Sequence, residues 1–174
     1  MLHFEQLSFW EHQQYLHNNT FVIVGAGLVG MSTALSLKSR FPNEKILILE
    51  RGYLPTGAST KNAGFACFGS PTELNDDLQH IPKEKVWETV ELRLKGLELL
   101  KNRVGLSQMN YKNCGSWDLI GPNDTALNAD FLAQLNLEML HRFGLKEVYK
   151  IDPQFQQKFG FQGYHTAYFN AHEG

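Results

Sequence analysis

Two apolar runs near the start of the chain flank a segment with helical periodicity. Residues 21–24 are Phe-Val-Ile-Val, and residues 45–49 form a second run that ends at Glu50. Short continuous apolar runs are typical of strands buried on both faces of a parallel sheet. Between them, residues 28–40 predict a helix with Val29, Ala34 and Leu37 on its sheet-facing side. The order predicts a β-α-β unit.

The elements predicted outside this unit do not alternate regularly. Ser8 and Glu11 predict a capping box on a short helix, and Ser70, Pro71 and Glu73 predict the start of another helix. Strands and helices in irregular order suit an α+β domain with antiparallel strands. The further predicted elements are a helix over residues 83–104 that stops at Gly105, a hairpin joining residues 108–111 to residues 116–120, a helix over residues 130–143 and a strand within residues 163–169.

Three glycines follow the first strand with the spacing Gly-x-Gly-x-x-Gly, at Gly25, Gly27 and Gly30. The first allows a tight turn, the second allows backbone N–H groups to approach a pyrophosphate, and the third allows the helix to pack closely on the strand. The helix N-terminus, at Leu28 and Val29, offers unpaired N–H donors and a positive dipole end. The strand, helix, second strand and terminal acid occur in the required order, which predicts a Rossmann-like dinucleotide site rather than glycines that only make turns.

Glu50 narrows the choice of dinucleotide. A carboxylate at this position accepts hydrogen bonds from ribose hydroxyls and would repel the 2′-phosphate of NADP. Arg51 follows at once, but a neighbouring cation does not cancel an acid aimed at the ribose. NAD and FAD both remain, because the β-α-β unit binds only the ADP half that they share.

The segment after Glu50 is rich in small residues and polar side chains. Gly57, Ala58, Ser59, Thr60, Ala63 and Gly64 permit close backbone approach to an extended ligand, and hydroxyl and amide groups offer hydrogen bonds. From composition alone, a flexible surface loop is the other interpretation.

Glu50-Arg51, followed by Gly57-Ala58-Ser59 and Asn62-Ala63-Gly64, resembles the N-terminal half of FAD-dependent oxidoreductases of the D-amino acid oxidase and glycine oxidase type. The resemblance covers about residues 20–70. It implies FAD as the cofactor, with the glycine turn on the diphosphate, the acid on the adenosine ribose, and the later segment running toward the flavin ring. The cofactor-binding residues predicted in this way are Gly25, Gly27, Leu28, Val29, Gly30, Glu50, Arg51, Ala58, Ser59, Thr60, Asn62, Ala63, Gly64 and Phe65.

The resemblance also implies a reaction. Enzymes of this type oxidise an amine or amino acid by hydride transfer from the α-carbon to the flavin, giving an imine that hydrolyses. An NAD-dependent dehydrogenase and a non-catalytic dinucleotide-binding remnant are the alternative functions. We identify no catalytic side chain in the sequence, because the substrate-orienting groups in this family generally come from the later half of the chain.

Relatives in this family have an FAD domain and a substrate domain and are roughly twice as long. After the second strand, no further clear βα unit extends the parallel sheet, so we expect the chain to be the N-terminal portion of a larger enzyme. Residues 1–70 are expected to form part of the FAD-binding domain. Residues 71–174 are expected to begin an α+β substrate domain.

Composition excludes several other classes of protein. The net charge of −2 and the pI near 6.4 give no broad basic field for nucleic acid. No apolar run approaches a membrane span, and the N-terminus lacks the cationic and apolar regions that are typical of a secretory signal. Two cysteines are too few for a disulfide scaffold, which favours a cytoplasmic location. We expect Cys67 to be a small buried cysteine, and His165 and His172 lack the spacing of a zinc site.

Overall fold

The computed structural model describes residues 7–174, which form two compact units. The first unit ends at Gly64, and the second comprises Phe65–Gly174. The units divide after Gly64, whereas the sequence places the domain boundary at residue 70. The assignment of the two parts to an FAD domain and a substrate domain stays a prediction.

The first unit begins with a short helix, α1 (Phe9–Glu11), which continues as a π-helical turn over His12–Leu16. The predicted capping box is confirmed. The Ser8 hydroxyl accepts the Glu11 N–H, and the Glu11 carboxylate accepts the Ser8 N–H at 2.8 Å. These two bonds satisfy donors that the start of a helix leaves without intrahelical acceptors.

The β-α-β unit has the predicted bounds to within one residue. It consists of β1 (Phe21–Val24), α2 (Leu28–Arg40) and β2 (Ile46–Leu49), and the strands are parallel, with Phe21 opposite Ile46. Gly30 contacts β1, and the half-buried Ala34 and Leu37 lie on the same helical face. The prediction that Val29 faces the sheet is wrong, because Gly30 takes that position and Val29 is 81% exposed.

The second unit contains four helices: α3 (Pro71–His80), α4 (Lys83–Val104), α5 (Ala129–Phe143) and α6 (Phe155–Phe159). Ser70 caps α3 as predicted, since its hydroxyl accepts the Glu73 N–H at 3.2 Å. A complete capping box would also need a return bond from the Glu73 side chain to the Ser70 N–H, and that bond does not form. That carboxylate instead pairs with Arg93 of α4 at 2.8 Å, because a cation is a stronger partner than a backbone N–H.

Three strands form an antiparallel sheet in the second unit. They are β3 (Ser116–Ile120), β4 (Tyr149–Ile151) and β5 (Thr166–Asn170), in the order β3-β5-β4. The predicted hairpin is wrong. Residues 108–111 form turns, in which Tyr111 N–H donates to the Leu106 carbonyl, and β3 pairs with β5, with Ser116 opposite Asn170.

The core of the second unit lies where the helices meet one face of this sheet. Ile120, Tyr149 and Tyr168 project from the strands into it. Burying these side chains among those of α3, α4 and α5 supplies most of the hydrophobic stabilisation of the unit. The other buried members are Phe68, Leu74, Val86, Trp87, Val90, Leu132, Leu135, Met139 and Val148.

Candidate functional site: the glycine turn and the segment after Glu50

The glycine turn leaves β1 in a conformation that disfavours side chains. Gly25 has φ of +98° and donates its N–H to the Leu49 carbonyl at 2.7 Å, which joins the turn to the end of β2. A residue other than glycine rarely adopts this backbone conformation. The turn therefore starts where the sequence motif predicts.

Gly30 is required for steric reasons. A Cβ atom at this position would lie 2.0 Å from the Gly25 carbonyl oxygen and 3.4 Å from Cγ2 of Ile23. The first turn of α2 can therefore rest directly on β1 only when residue 30 has no side chain. This contact fixes the direction in which the helix N-terminus points.

The N-terminus of α2 has a hydroxyl beside it. Gly27 is the N-cap and supplies no side-chain acceptor, while the Leu28 N–H donates to the Ser59 Oγ at 2.9 Å. Because the Ser59 oxygen accepts this bond, its O–H hydrogen is left to donate to another group. Helix geometry gives the N–H groups of Val29 and Gly30 no acceptor within the helix. The end of α2 thus presents several donors and a positive dipole end, which suit an anion.

Glu50 binds the glycine turn from the end of β2. Its carboxylate accepts the Ala26 N–H at 2.9 Å and the Gly52 N–H at 3.2 Å. The bond from Ala26, and then that from Gly52, lowers the pKa of Glu50 from its ordinary value. A carboxylate has about four lone-pair sites, so acceptor capacity remains for ribose hydroxyls as the sequence predicts. The stabilising role of Glu50 within the turn was not predicted.

The segment after Glu50 is shaped by its own side chains. Residues Ala58–Thr60 form one turn of 3₁₀ helix, and the Thr60 hydroxyl bonds to the carbonyls of Pro55 and Gly57 at 3.1 and 3.2 Å. The Asn62 amide donates to the Ser59 carbonyl at 2.8 Å and accepts the Gly64 N–H at 2.8 Å. These bonds hold Ser59 in place, so Thr60 and Asn62 act on the local backbone.

A cavity of about 300 Å³ lies between the glycine turn, the end of β2 and this segment. This volume is at the lower end of the range for small-molecule sites. Six of the predicted residues line it: Gly25, Gly27, Glu50, Arg51, Ala58 and Ser59. The other lining residues are Val24, Leu49, Pro55, Thr56 and Gly57. Of these, the sequence indicated only Gly57, as the first residue of the small-residue segment.

The other predicted residues lie apart from the lining of this cavity. Leu28, Val29 and Gly30 form the first turn of α2, and Thr60, Asn62, Ala63 and Gly64 are in the exposed part of the segment. Phe65 is the first residue of the second unit and is largely exposed.

Cys67 differs from its prediction. It is exposed rather than buried, although the neighbouring Phe68 is buried. Partial burial, followed by Glu173 and Glu73, raises the pKa of the Cys67 thiol.

Residues 7–174 contain no group of three or more His, Cys, Asp or Glu side chains that could hold a metal ion. Within the same range, no helix has the length and apolar character needed to cross a membrane.

Comparison with known proteins identifies the family. The sequence model of the FAD dependent oxidoreductase family, DAO, matches residues 20–174, which is most of the chain. The chain belongs to this family, and FAD is its cofactor. The alternative of an NAD-dependent dehydrogenase is therefore not favoured. No curated protein matches the chain.

The residues present suit the diphosphate end of this cofactor. A Cβ at Gly27 would lie 2.9 Å from the Ser59 Oγ, so a side chain there would have to displace the Ser59 hydroxyl. The same place offers the Ser59 hydroxyl and the helix N–H donors, and Glu50 stands at the end of β2 with spare acceptor capacity. Donors for phosphate and an acceptor for ribose are thus present on neighbouring elements.

We expect acid to weaken FAD binding through Glu50. Because the folded pKa is lowered, the stabilisation of the turn is fully present above the ordinary pKa of a glutamate, about 4.3. It is lost as the pH falls through the lowered value. At neutral pH, Glu50→Gln should weaken binding by a factor of about 3–10, since an amide oxygen accepts less strongly and the amide nitrogen not at all.

FAD titrations of wild type and Glu50→Gln across this pH range measure the effect. The difference between the two proteins should shrink toward acid. Glu44→Gln is the matched control, because Glu44 lies in the same unit and its carboxylate accepts the Thr20 hydroxyl. Equal affinities of wild type and Glu50→Gln at neutral pH would contradict the assignment.

Proposed function

We propose that this chain forms the dinucleotide-binding part of an FAD-dependent enzyme that oxidises an amine or amino acid. The bond from Leu28 N–H to the Ser59 hydroxyl carries the assignment, because it joins the glycine turn to the Gly57-Ala58-Ser59 segment. Those are the two motifs whose combination resembles the D-amino acid oxidase and glycine oxidase type. The family match over residues 20–174 supports the cofactor and the general reaction.

The proposed role of each residue follows from the hydrogen-bond donors or acceptors that it offers. Gly25, Gly27 and Gly30 keep the turn free of side chains, and the N–H groups of Leu28 and Val29, with the Ser59 hydroxyl, donate to the diphosphate. Glu50 accepts from the ribose, and Arg51 lies beside it in the cavity wall. Residues 58–65, including Ala58, Thr60, Asn62, Ala63, Gly64 and Phe65, extend the contact toward the flavin ring.

When bound, FAD supplies a two-electron acceptor for oxidation of the carbon that carries the substrate nitrogen. The chain's own contribution is to hold the cofactor in a fixed position. Residues 1–70 are proposed to belong to the FAD domain and residues 71–174 to a substrate domain. Holding two reacting groups in a fixed geometry is in general worth several orders of magnitude in rate.

The experiment has two stages. Denaturing the purified protein should release FAD, identified by visible absorption and mass. Mixing the loaded protein anaerobically with a panel of glycine, D-amino acids, N-methyl amino acids and primary amines should bleach the flavin absorption with at least one of them.

Each stage of the experiment has its own contradicting outcome. Release of FMN or NAD would overturn the cofactor assignment. Bleaching by 2-hydroxy acids, with none by any amine or amino acid, would retain the oxidoreductase but overturn the proposed substrate class.

A further inference from the structure

The side chain of Asn62 caps the 3₁₀ turn that carries Ser59. The turn comprises Ala58–Thr60, and the amide nitrogen of Asn62 donates to the Ser59 carbonyl at 2.8 Å. Carbonyl groups at the end of a helical turn lack donors within it, and a side-chain amide that reaches back to them satisfies them. Asn62 therefore holds the C-terminal end of this turn closed.

The other end of the same amide fixes Asn62 itself. Its oxygen accepts the Gly64 N–H at 2.8 Å, which closes a short turn two residues further along the chain. Gly64 has φ of +79°, a conformation that glycine adopts without strain. Both ends of the amide are thus bonded to the backbone of the segment, and these bonds hold the side chain in one orientation.

Thr60 joins the same turn to the residues before it. Its hydroxyl hydrogen is shared between the Pro55 and Gly57 carbonyls, at 3.1 and 3.2 Å, and its backbone N–H also donates to the Gly57 carbonyl at 3.2 Å. Two side chains therefore hold the turn from its two sides, and Ser59 lies between their points of attachment.

The closed turn places one hydroxyl at the N-terminus of α2. The Ser59 Oγ accepts the Leu28 N–H at 2.9 Å, and both residues belong to the first unit. A loop that becomes ordered only when a ligand binds loses conformational entropy at that moment, whereas a loop that is ordered beforehand does not. The bonds of Asn62 and Thr60 provide this order without a ligand.

We infer that the side chains of Asn62 and Thr60 are positioning groups for FAD, which hold the Ser59 hydroxyl at the N-terminus of α2 before the cofactor binds. This inference rests on the proposed function, in which that hydroxyl donates to the diphosphate. A side chain that contacted FAD directly would contribute to binding whether or not residue 59 is serine. A positioning side chain contributes only while the Ser59 hydroxyl is present.

The experiment titrates FAD into Asn62→Ala, made both in the wild-type chain and in the Ser59→Ala chain. In the wild-type chain, Asn62→Ala should weaken FAD binding by about 3–10-fold, which corresponds to the loss of a neutral hydrogen bond. In the Ser59→Ala chain it should cause no further loss, because the hydroxyl that Asn62 places is absent. Thr60→Val keeps the shape of the side chain and removes only its hydroxyl, and it should give the same pair of results.

Hydrogen exchange measured without FAD tests the positioning separately. The Leu28 amide should exchange faster in Asn62→Ala than in wild type, at a rate close to that in Ser59→Ala. Asn19→Ala is the matched control, because the Asn19 amide donates to the Tyr15 carbonyl at 2.8 Å in the same unit and does not line the cavity. That control should change neither the exchange of Leu28 nor the affinity for FAD.

The outcomes separate this inference from the proposed function. An equal loss of FAD affinity from Asn62→Ala in both chains would overturn the positioning role, because the loss would not depend on Ser59. Unchanged FAD affinity and unchanged Leu28 exchange in Asn62→Ala would also overturn it. Wild-type affinity in Ser59→Ala, or a wild-type protein that binds no FAD, would instead overturn the proposed function on which the inference rests.

Discussion

Gly30→Ala is expected to reduce FAD binding more than any other single methyl addition in the glycine turn. The added Cβ would lie 2.0 Å from the Gly25 carbonyl oxygen, which belongs to the backbone of the turn. Helix α2 must therefore move away from β1, and its N–H donors move with it. Overpacking of this kind costs about 1–3 kcal/mol or more, and the displacement should weaken FAD binding by about a hundredfold.

Titration of FAD into the purified variant, together with thermal unfolding, measures both effects. Gly96→Ala is the matched control, since no atom lies within 4 Å of its added Cβ and Gly96 lies within helix α4 of the second unit. That control should bind FAD as wild type does. Normal FAD affinity in Gly30→Ala would show that α2 does not need its close contact with β1 to form the site.

Gly27→Val has the second largest expected effect, and for a different reason. Its Cβ would lie 2.9 Å from Oγ of Ser59, which is a side-chain atom and can move. The branched side chain would nevertheless occupy the space through which a pyrophosphate approaches the N-terminus of α2. We expect FAD binding to fall by at least about tenfold, with little loss of stability.

A double variant identifies the cause. Adding Ser59→Ala removes the hydroxyl that the valine would contact. If the lost affinity comes from the cofactor's own approach, Gly27→Val should weaken FAD binding as much in the Ser59→Ala protein as in wild type. If Gly27→Val causes no further loss in the Ser59→Ala protein, the conflict lies between the two side chains, which would contradict the proposed position of the diphosphate.

The β-α-β unit could be predicted because its signals are local. Residues 21–24 form a strand since four apolar residues can be buried together, and Gly25 starts the turn because its positive φ excludes most side chains. The helix bounds at Leu28 and Arg40 agree with the sequence. Which side of helix α2 faces the sheet was harder to predict. The periodicity assigned Val29 to the sheet, whereas the close contact of Gly30 with Gly25 rotates Val29 outward.

Strand pairing in the second unit required the tertiary structure. The residues around Gly115 suggested a local hairpin, but β3 pairs with β5, about fifty residues later along the chain. A ring atom of Phe169 lies 2.3 Å from where a Gly115 Cβ would be, so that glycine serves a packing contact across strands. The sequence pattern did not predict the short strand β4, because its three residues are held in place by pairing with β5.

By itself, the sequence determined the glycine turn, the parallel pair of strands, the helix between them and the acid at the end of the second strand. Spacing along the chain sets each of these features. Only the tertiary structure decided which groups meet. It placed the Ser59 hydroxyl on Leu28 N–H, Glu50 on Ala26 N–H and the buried Glu173 on Phe68 N–H. Each of these bonds joins residues more than twenty positions apart, and local propensity carries no information about such contacts because the intervening chain must fold before they can form.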